Sequence, residues 1–154
     1  MSDTNLNSQC ECGEARFNVS GKPLLRAVCH CTICQTFKQA AYSDITLFRA
    51  RDVIMPQQNS VEFKAYASPK VLQRGKCVSC GKAAIEYLKI PLMPKVIVVP
   101  TENIGEKCFV PEPSMHVFYD TRVSDIEDDL PKHSGYLKSQ LAFSHKLMAS
   151  FISG

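Results

Sequence analysis

Val71-Leu72-Gln73-Arg74-Gly75-Lys76-Cys77-Val78-Ser79-Cys80-Gly81-Lys82-Ala83-Ala84-Ile85-Glu86-Tyr87-Leu88-Lys89-Ile90 is the stretch on which the fold turns. Val71 to Lys76 and Ala84 to Ile90 flank Cys77-Val78-Ser79-Cys80-Gly81 like the two arms of a hairpin. Two sulfurs at i and i+3 of a tight turn converge while backbone N–H groups point at them, and the glycine that follows suits the positive φ such a turn often needs. A matching pair stands near the N-terminus, Cys10-Glu11-Cys12-Gly13, whose sulfurs project to one side of an extended segment. Four thiolates are enough to close a tetrahedral Zn²⁺ site, so Cys10, Cys12, Cys77 and Cys80 are expected to pin an N-terminal strand to the distant hairpin. Such a site is structural. A single iron held by four thiolates is the rival, since C-x-x-C-G knuckles also bind it.

Outward from the hairpin the chain alternates in β fashion. Ala15-Arg16-Phe17-Asn18-Val19 reads as a strand ended by Ser20-Gly21-Lys22-Pro23. Leu25, Ala27, Cys29 and Cys31 share one face of a second strand, with Arg26, Val28 and His30 on the other. A short turn or helical segment follows Cys34 to Ala40. Ile45 to Phe48, Val53-Ile54, Val61 to Ala67, Lys95 to Val99 and Met115 to Tyr119 complete the strands. Asp125 to Pro131 is an acidic loop. From Tyr136 onward Tyr136, Gln140, Phe143, Leu147 and Phe151 step by three and four, which predicts a terminal helix docked on the sheet. The chain is expected to be mainly β, with residues 1–9 a flexible polar tail and 10–154 a single zinc-binding domain ending in a short helix.

Composition narrows the function. The 154 residues are 45% hydrophobic and 21% charged, as in a soluble globular domain. The net charge of +3 is spread among acids, which argues against nucleic acid as a partner. No apolar run has the length of a membrane span, and Val96 to Val99 is cut by Pro94 and Pro100. Met1-Ser2-Asp3-Thr4-Asn5 lacks the basic and apolar stretches of a signal peptide, so a cytoplasmic protein is expected. In that reducing compartment eight cysteines read as metal ligands before disulfides.

Cys29-His30-Cys31-Thr32-Ile33-Cys34 differs from the paired cysteines. Three sulfurs within six residues can wrap one ion, and no second pair remains to complete its shell. A metal held by three protein ligands keeps a fourth position for water or substrate, the mark of a catalytic zinc. Three thiolates on Zn²⁺ leave a net charge of −1 and a weak Lewis acid, so the natural fourth occupant is another soft thiolate. The metal would hold that sulfur ionised, in its reactive form. Closure of the shell by Cys108 or a histidine would instead make this a second structural site.

His30 points away from the two cysteines beside it and reads as a core or supporting group. His116 reads as a hydrogen-bonded core histidine, His133 and His145 as surface residues, and Cys108 as a small buried apolar residue. Arg74 and Arg122 are candidates to hold a carboxylate of a glutathione-like molecule, solvation at the surface being the ordinary fate of either.

The order Cys10-x-Cys12-Gly13, Cys29-His30-Cys31-x-x-Cys34-Gln35, Cys77-x-x-Cys80-Gly81 resembles the glutathione-dependent formaldehyde-activating enzyme family, which also includes a branch related to centromere protein V. Pro111 to Phe118 resembles its P-x-x-H strand entry and Asp129-Leu130-Pro131-Lys132 its D-x-L-P segment. The resemblance runs from about Gln9 to Tyr136. The C-terminal helical segment has no match in it, and the tryptophan that many relatives place after the histidine strand is absent. The resemblance implies a β-tent fold of antiparallel sheets, a structural zinc on Cys10, Cys12, Cys77 and Cys80, and a catalytic zinc on Cys29, Cys31 and Cys34. It further implies a carbon–sulfur lyase that joins glutathione and formaldehyde reversibly into S-hydroxymethylglutathione, or acts on a related small thiol.

Two functions therefore compete. One is a zinc-dependent lyase acting on a thiol adduct at an open three-cysteine site. The other is a non-catalytic two-zinc module that binds a protein partner or carries a thiol.

Overall fold

The computed structural model describes residues 5–106 and 109–153. Among the described residues ten strands form two sheets: β1 (Leu6–Gln9), β2 (Arg16–Val19) and β5 (Val53–Ile54) in one, and seven strands in the order β10-β3-β4-β9-β8-β7-β6 in the other. In that larger sheet β3 is Leu25–Cys29, β4 Ser43–Arg49, β6 Val61–Lys64, β7 Leu72–Cys77, β8 Ala83–Leu88, β9 Val96–Pro100 and β10 His116–Val117. All pairings are antiparallel save that of β10 with β3, which is parallel. Two helices complete the fold, α1 (Thr32–Lys38) and α2 (Tyr136–Ser153). The chain is mainly β, as its alternating pattern predicts.

Burial explains the arrangement. Central β9 reads Val96-Ile97-Val98-Val99-Pro100 and is buried at every position, as a strand covered on both faces must be. One face of the large sheet meets the small one through Leu6, Ala15, Phe17 and Val19 against Phe48, Ile85, Ile97 and Val99. The other face carries Leu25, Leu47, Val96 and Val98, covered by Leu147, Phe143 and Phe151 of α2. No helix among the described residues is long and apolar enough to cross a membrane.

Four local expectations are corrected. Leu6–Gln9 is a strand rather than loose tail: Leu6 and Ser8 turn inward opposite Val19 and Phe17, a pattern hidden because only Leu6 is apolar. The strand from Leu25 stops at Cys29, because Cys31 leaves the sheet to cap α1 and accepts a hydrogen bond from the Cys34 N–H at 3.2 Å. The strand from Val61 stops at Lys64, opposite Arg74, where the chain turns toward β7. On α2 the buried stripe starts at Ser139 rather than Tyr136, which is 71% exposed. The Ser139 hydroxyl accepts from the Phe118 N–H at 2.8 Å and donates to the His133 carbonyl at 3.2 Å, tying the helix to the end of β10.

Candidate metal centre

Two turns carry the paired cysteines to one point. In the first, Cys10 N–H bonds the Ala15 carbonyl at 3.0 Å and Gly13 N–H returns to the Cys10 carbonyl at 3.1 Å. In the second, Cys77 N–H bonds the Lys82 carbonyl at 2.9 Å and Gly81 N–H the Cys77 carbonyl at 2.8 Å. Gly13 and Gly81 both take positive φ, +83° and +71°, which the hairpin reading required. The four sulfurs gather within 4.8 Å of one another. Cys10 lies 3.5 Å from Cys12 and 3.9 Å from Cys80, and Cys12 lies 3.7 Å from Cys77. A tetrahedron with metal–sulfur bonds of about 2.3 Å has edges of about 3.8 Å, so the sulfurs already stand where a four-thiolate metal needs them. The Ala15 N–H is directed at the Cys10 sulfur at 3.4 Å, support for a thiolate there. These residues can hold a metal ion, and their spacing suits zinc.

Cys29 at the end of β3 and Cys31 and Cys34 at the start of α1 form the second cluster, again within 4.8 Å. No further His, Cys, Asp or Glu joins them among the described residues, and Cys108 lies outside the described residues. The cluster is enclosed by Ala27, Met115, Val117 and Phe118. Hydrogen bonds with Cys29 and Cys34 hold the Cys31 thiol far below the ordinary thiol range, and those with Cys31 and Cys34 push Cys29 well above it. The three sulfurs together make a donor set that a soft cation would complete.

Behind Cys34 stands a charged group in the core. Arg74 is 8% exposed, not at the surface, and its Nη1 donates to the Cys34 sulfur at 3.5 Å and to Glu86 Oε1 at 2.9 Å. Its guanidinium lies 5.6 Å above the ring of Phe37 on α1. Burial pushes the Glu86 carboxyl up to about 7, against the pull of Arg74 and Lys38. Sequence reasoning passed over Glu86. Its signal was an acid inside the apolar run Ala83-Ala84-Ile85-Glu86-Tyr87-Leu88, and hairpin register sets it directly across from Arg74.

Arg122, the other candidate clamp, is engaged by Asp125 at 2.5 Å and lies 4.3 Å above the ring of Tyr119. His30 and His116 meet in the core at 2.8 Å, and His116 Nε2 reaches Asp128 Oδ2 at 2.7 Å. Asp128 accepts from His116 Nε2–H, and a single proton lies between His116 Nδ1 and His30 Nε2. Burial, with the nearby His116, lowers His30 to about 4, so it is neutral at pH 7. The His30 carbonyl accepts from Gln35 and Thr121 at 2.8 and 2.9 Å, fixing the peptide between the two cysteines. His133 is half-buried and His145 exposed.

A cleft of about 790 Å³ opens beside Lys38, lined also by Asn7, Lys82, Glu102 and Asn103. Lys38 stands one helical turn beyond Cys34 on α1, on the same side of the helix. No curated protein matches the chain. A crystal structure of a Rhodobacter sphaeroides protein superposes with a TM-score of 0.47 at 16% identity, covering 63% of this chain and 85% of that one. The order of the two cysteine sets along the chain has a named counterpart: residues 5–121 match the profile of the glutathione-dependent formaldehyde-activating enzymes, and the chain belongs to that family.

Proposed function

We propose that the chain is a zinc-dependent carbon–sulfur lyase that joins the thiol of glutathione to formaldehyde, giving S-hydroxymethylglutathione reversibly. The observation that carries the reading is the three-sulfur set of Cys29, Cys31 and Cys34 with no fourth ligand among the described residues. Zinc bound there would supply a soft cationic point that keeps an incoming thiol ionised. The four-cysteine set is assigned the second, structural zinc.

The chain's own residues do the rest. Cys29 and Cys31 are fixed by β3 and by the hydrogen bonds to the His30 carbonyl, and Cys34 by its place in α1 and by Arg74. The apolar wall of Met115, Val117 and Phe118 limits water at the cluster, which favours addition of a thiolate over hydration of the aldehyde. The sulfur lone pair forms the new S–C bond, the carbonyl π pair moves to oxygen, and that oxygen takes up a proton. Holding the two reactants together supplies the acceleration. The cleft beside Lys38 is of the size that small-molecule sites usually have, about 300–1,000 Å³, and Lys82 with the amides of Asn7 and Asn103 offers partners to the carboxylates and peptide groups of the tripeptide, Lys38 being paired with Glu102.

Exchange NMR on a mixture of glutathione and formaldehyde tests this. The wild-type chain should speed interconversion of the free thiol and its hydroxymethyl adduct, and Cys31→Ser should not. Serine is itself a good helix cap, so that variant keeps α1 and removes one soft donor. Equal rates with and without wild-type protein, alongside two chelator-resistant zinc ions, would favour the non-catalytic module.

A further inference from the structure

The buried pair Arg74–Glu86 stands in register across β7 and β8, and Arg74 links it to the three-cysteine cluster at Cys34. Each side chain is nearly excluded from water, Arg74 at 8% and Glu86 at 1% exposure. A guanidinium NH₂ carries two hydrogens. Arg74 Nη1 spends one on Glu86 Oε1 at 2.9 Å and aims the other at the Cys34 sulfur at 3.5 Å. Phe37 beneath the guanidinium restricts its plane. Among the described residues Glu86 makes no hydrogen bond to a sulfur, and its second oxygen has no hydrogen-bond partner. A carboxylate buried with half its acceptors unused is costly, and its one recorded hydrogen bond orients Arg74.

We propose that Glu86 is a positioning residue for the three-cysteine site, acting through Arg74, which places a fixed positive charge and a hydrogen-bond donor on the sulfur of Cys34. This rests on the reading of that cluster as a metal site. Three thiolates and a divalent ion carry a net charge of −1 in an apolar enclosure. A guanidinium against one sulfur offsets that charge, lowers the electron donation of Cys34, and makes the arrival of a further anionic sulfur less unfavourable. The site is thereby tuned to accept a thiolate as its fourth group.

Cobalt(II) binding to the full chain tests this. Two equivalents should bind, and the one that Cys31→Ser removes belongs to the three-cysteine site. Competition with a chromophoric chelator should show Arg74→Met weakening that equivalent by about 10–100-fold, the usual scale for a partner that supports a metal ligand. Glu86→Gln should weaken it by less, and the sulfur-to-cobalt charge-transfer band should shift in both variants. The double variant should lose less affinity than the product of the two single losses, because Glu86 acts on the cluster chiefly through Arg74. An unchanged four-cysteine equivalent reports that each variant is folded. Should Arg74→Met leave the affinity and the band unaltered, or the two losses multiply in the double variant, the positioning role is wrong while the metal site stands. If the wild-type chain binds only one cobalt, the metal reading of the cluster and this role fall together.

Discussion

His30 reaches the surface through one intermediary. Its ring bonds His116, which bonds Asp128, whose carboxylate Lys132 also holds at 2.6 Å and keeps well below the usual carboxylate range. A neutral histidine buried this way makes stability depend on pH with a definite sign. Above about pH 6.5 the ring is neutral in both folded and unfolded chains, and its contribution is complete. As the pH falls from there toward 4, the unfolded chain binds a proton that folded His30, lowered to about 4, refuses, and the contribution is lost. Glu86, raised to about 7, works in the opposite direction: folded protein protonates first, so acid relieves its burial. Comparing wild type with His30→Leu cancels Glu86. At pH 7 that substitution should cost about 1–3 kcal/mol, because buried His116 Nδ1 loses its hydrogen-bond partner. Urea unfolding at pH 7, 5.5 and 4.5 should show the gap narrowing steadily; a constant gap would show that His30 is not the titrating group.

Helix α2 earns its place by one stripe. Leu147 is 5% exposed against Leu25, Leu47 and Val98, whereas Leu141 on the same helix is 62% exposed. Leu147→Ala should therefore cost about 2–5 kcal/mol in unfolding free energy and Leu141→Ala within about 0.5 kcal/mol. Equal losses at the two positions would mean the helix docks by another face. The terminal helix was legible because periods of three and four persist over many residues, and Phe143, Leu147 and Phe151 do face the sheet. Its first turn was misread because Ser139, a small polar residue, holds the inward position through two hydrogen bonds. The cysteine sets were legible for a similar reason, since sulfurs two or three residues apart are confined by local backbone alone. Arg74 against Glu86 required the hairpin register, which pattern does not state. His30 against His116 required the parallel neighbours β3 and β10, separated by most of the chain. Long-range pairing is where single-sequence reasoning loses its grip.

At the scale of the molecule, the four cysteines stand where a bound metal would fasten one sheet to the other. Cys10 and Cys12 lie between β1 and β2 of the small sheet, while Cys77 ends β7 and Cys80 sits in the turn before β8 of the large one. The two sheets are not held by this staple alone. Leu6, Phe17 and Val19 are buried at the junction, each contributing about 1.5–3 kcal/mol of transfer free energy. β4 and β9, in the middle of the large sheet, pair over five residues and supply none of the four sulfurs. Metal removal should accordingly loosen the junction without melting the centre. Treated with a chelator and a reductant, the chain should show amide exchange at least about tenfold faster in residues 6–19 and 77–83, with β4 and β9 still protected, as expected of sub-global opening. Uniform acceleration through β4 and β9 would place the whole fold under metal control, as in domains that fold only when a metal binds. Unchanged exchange at the junction would deny the site any structural work.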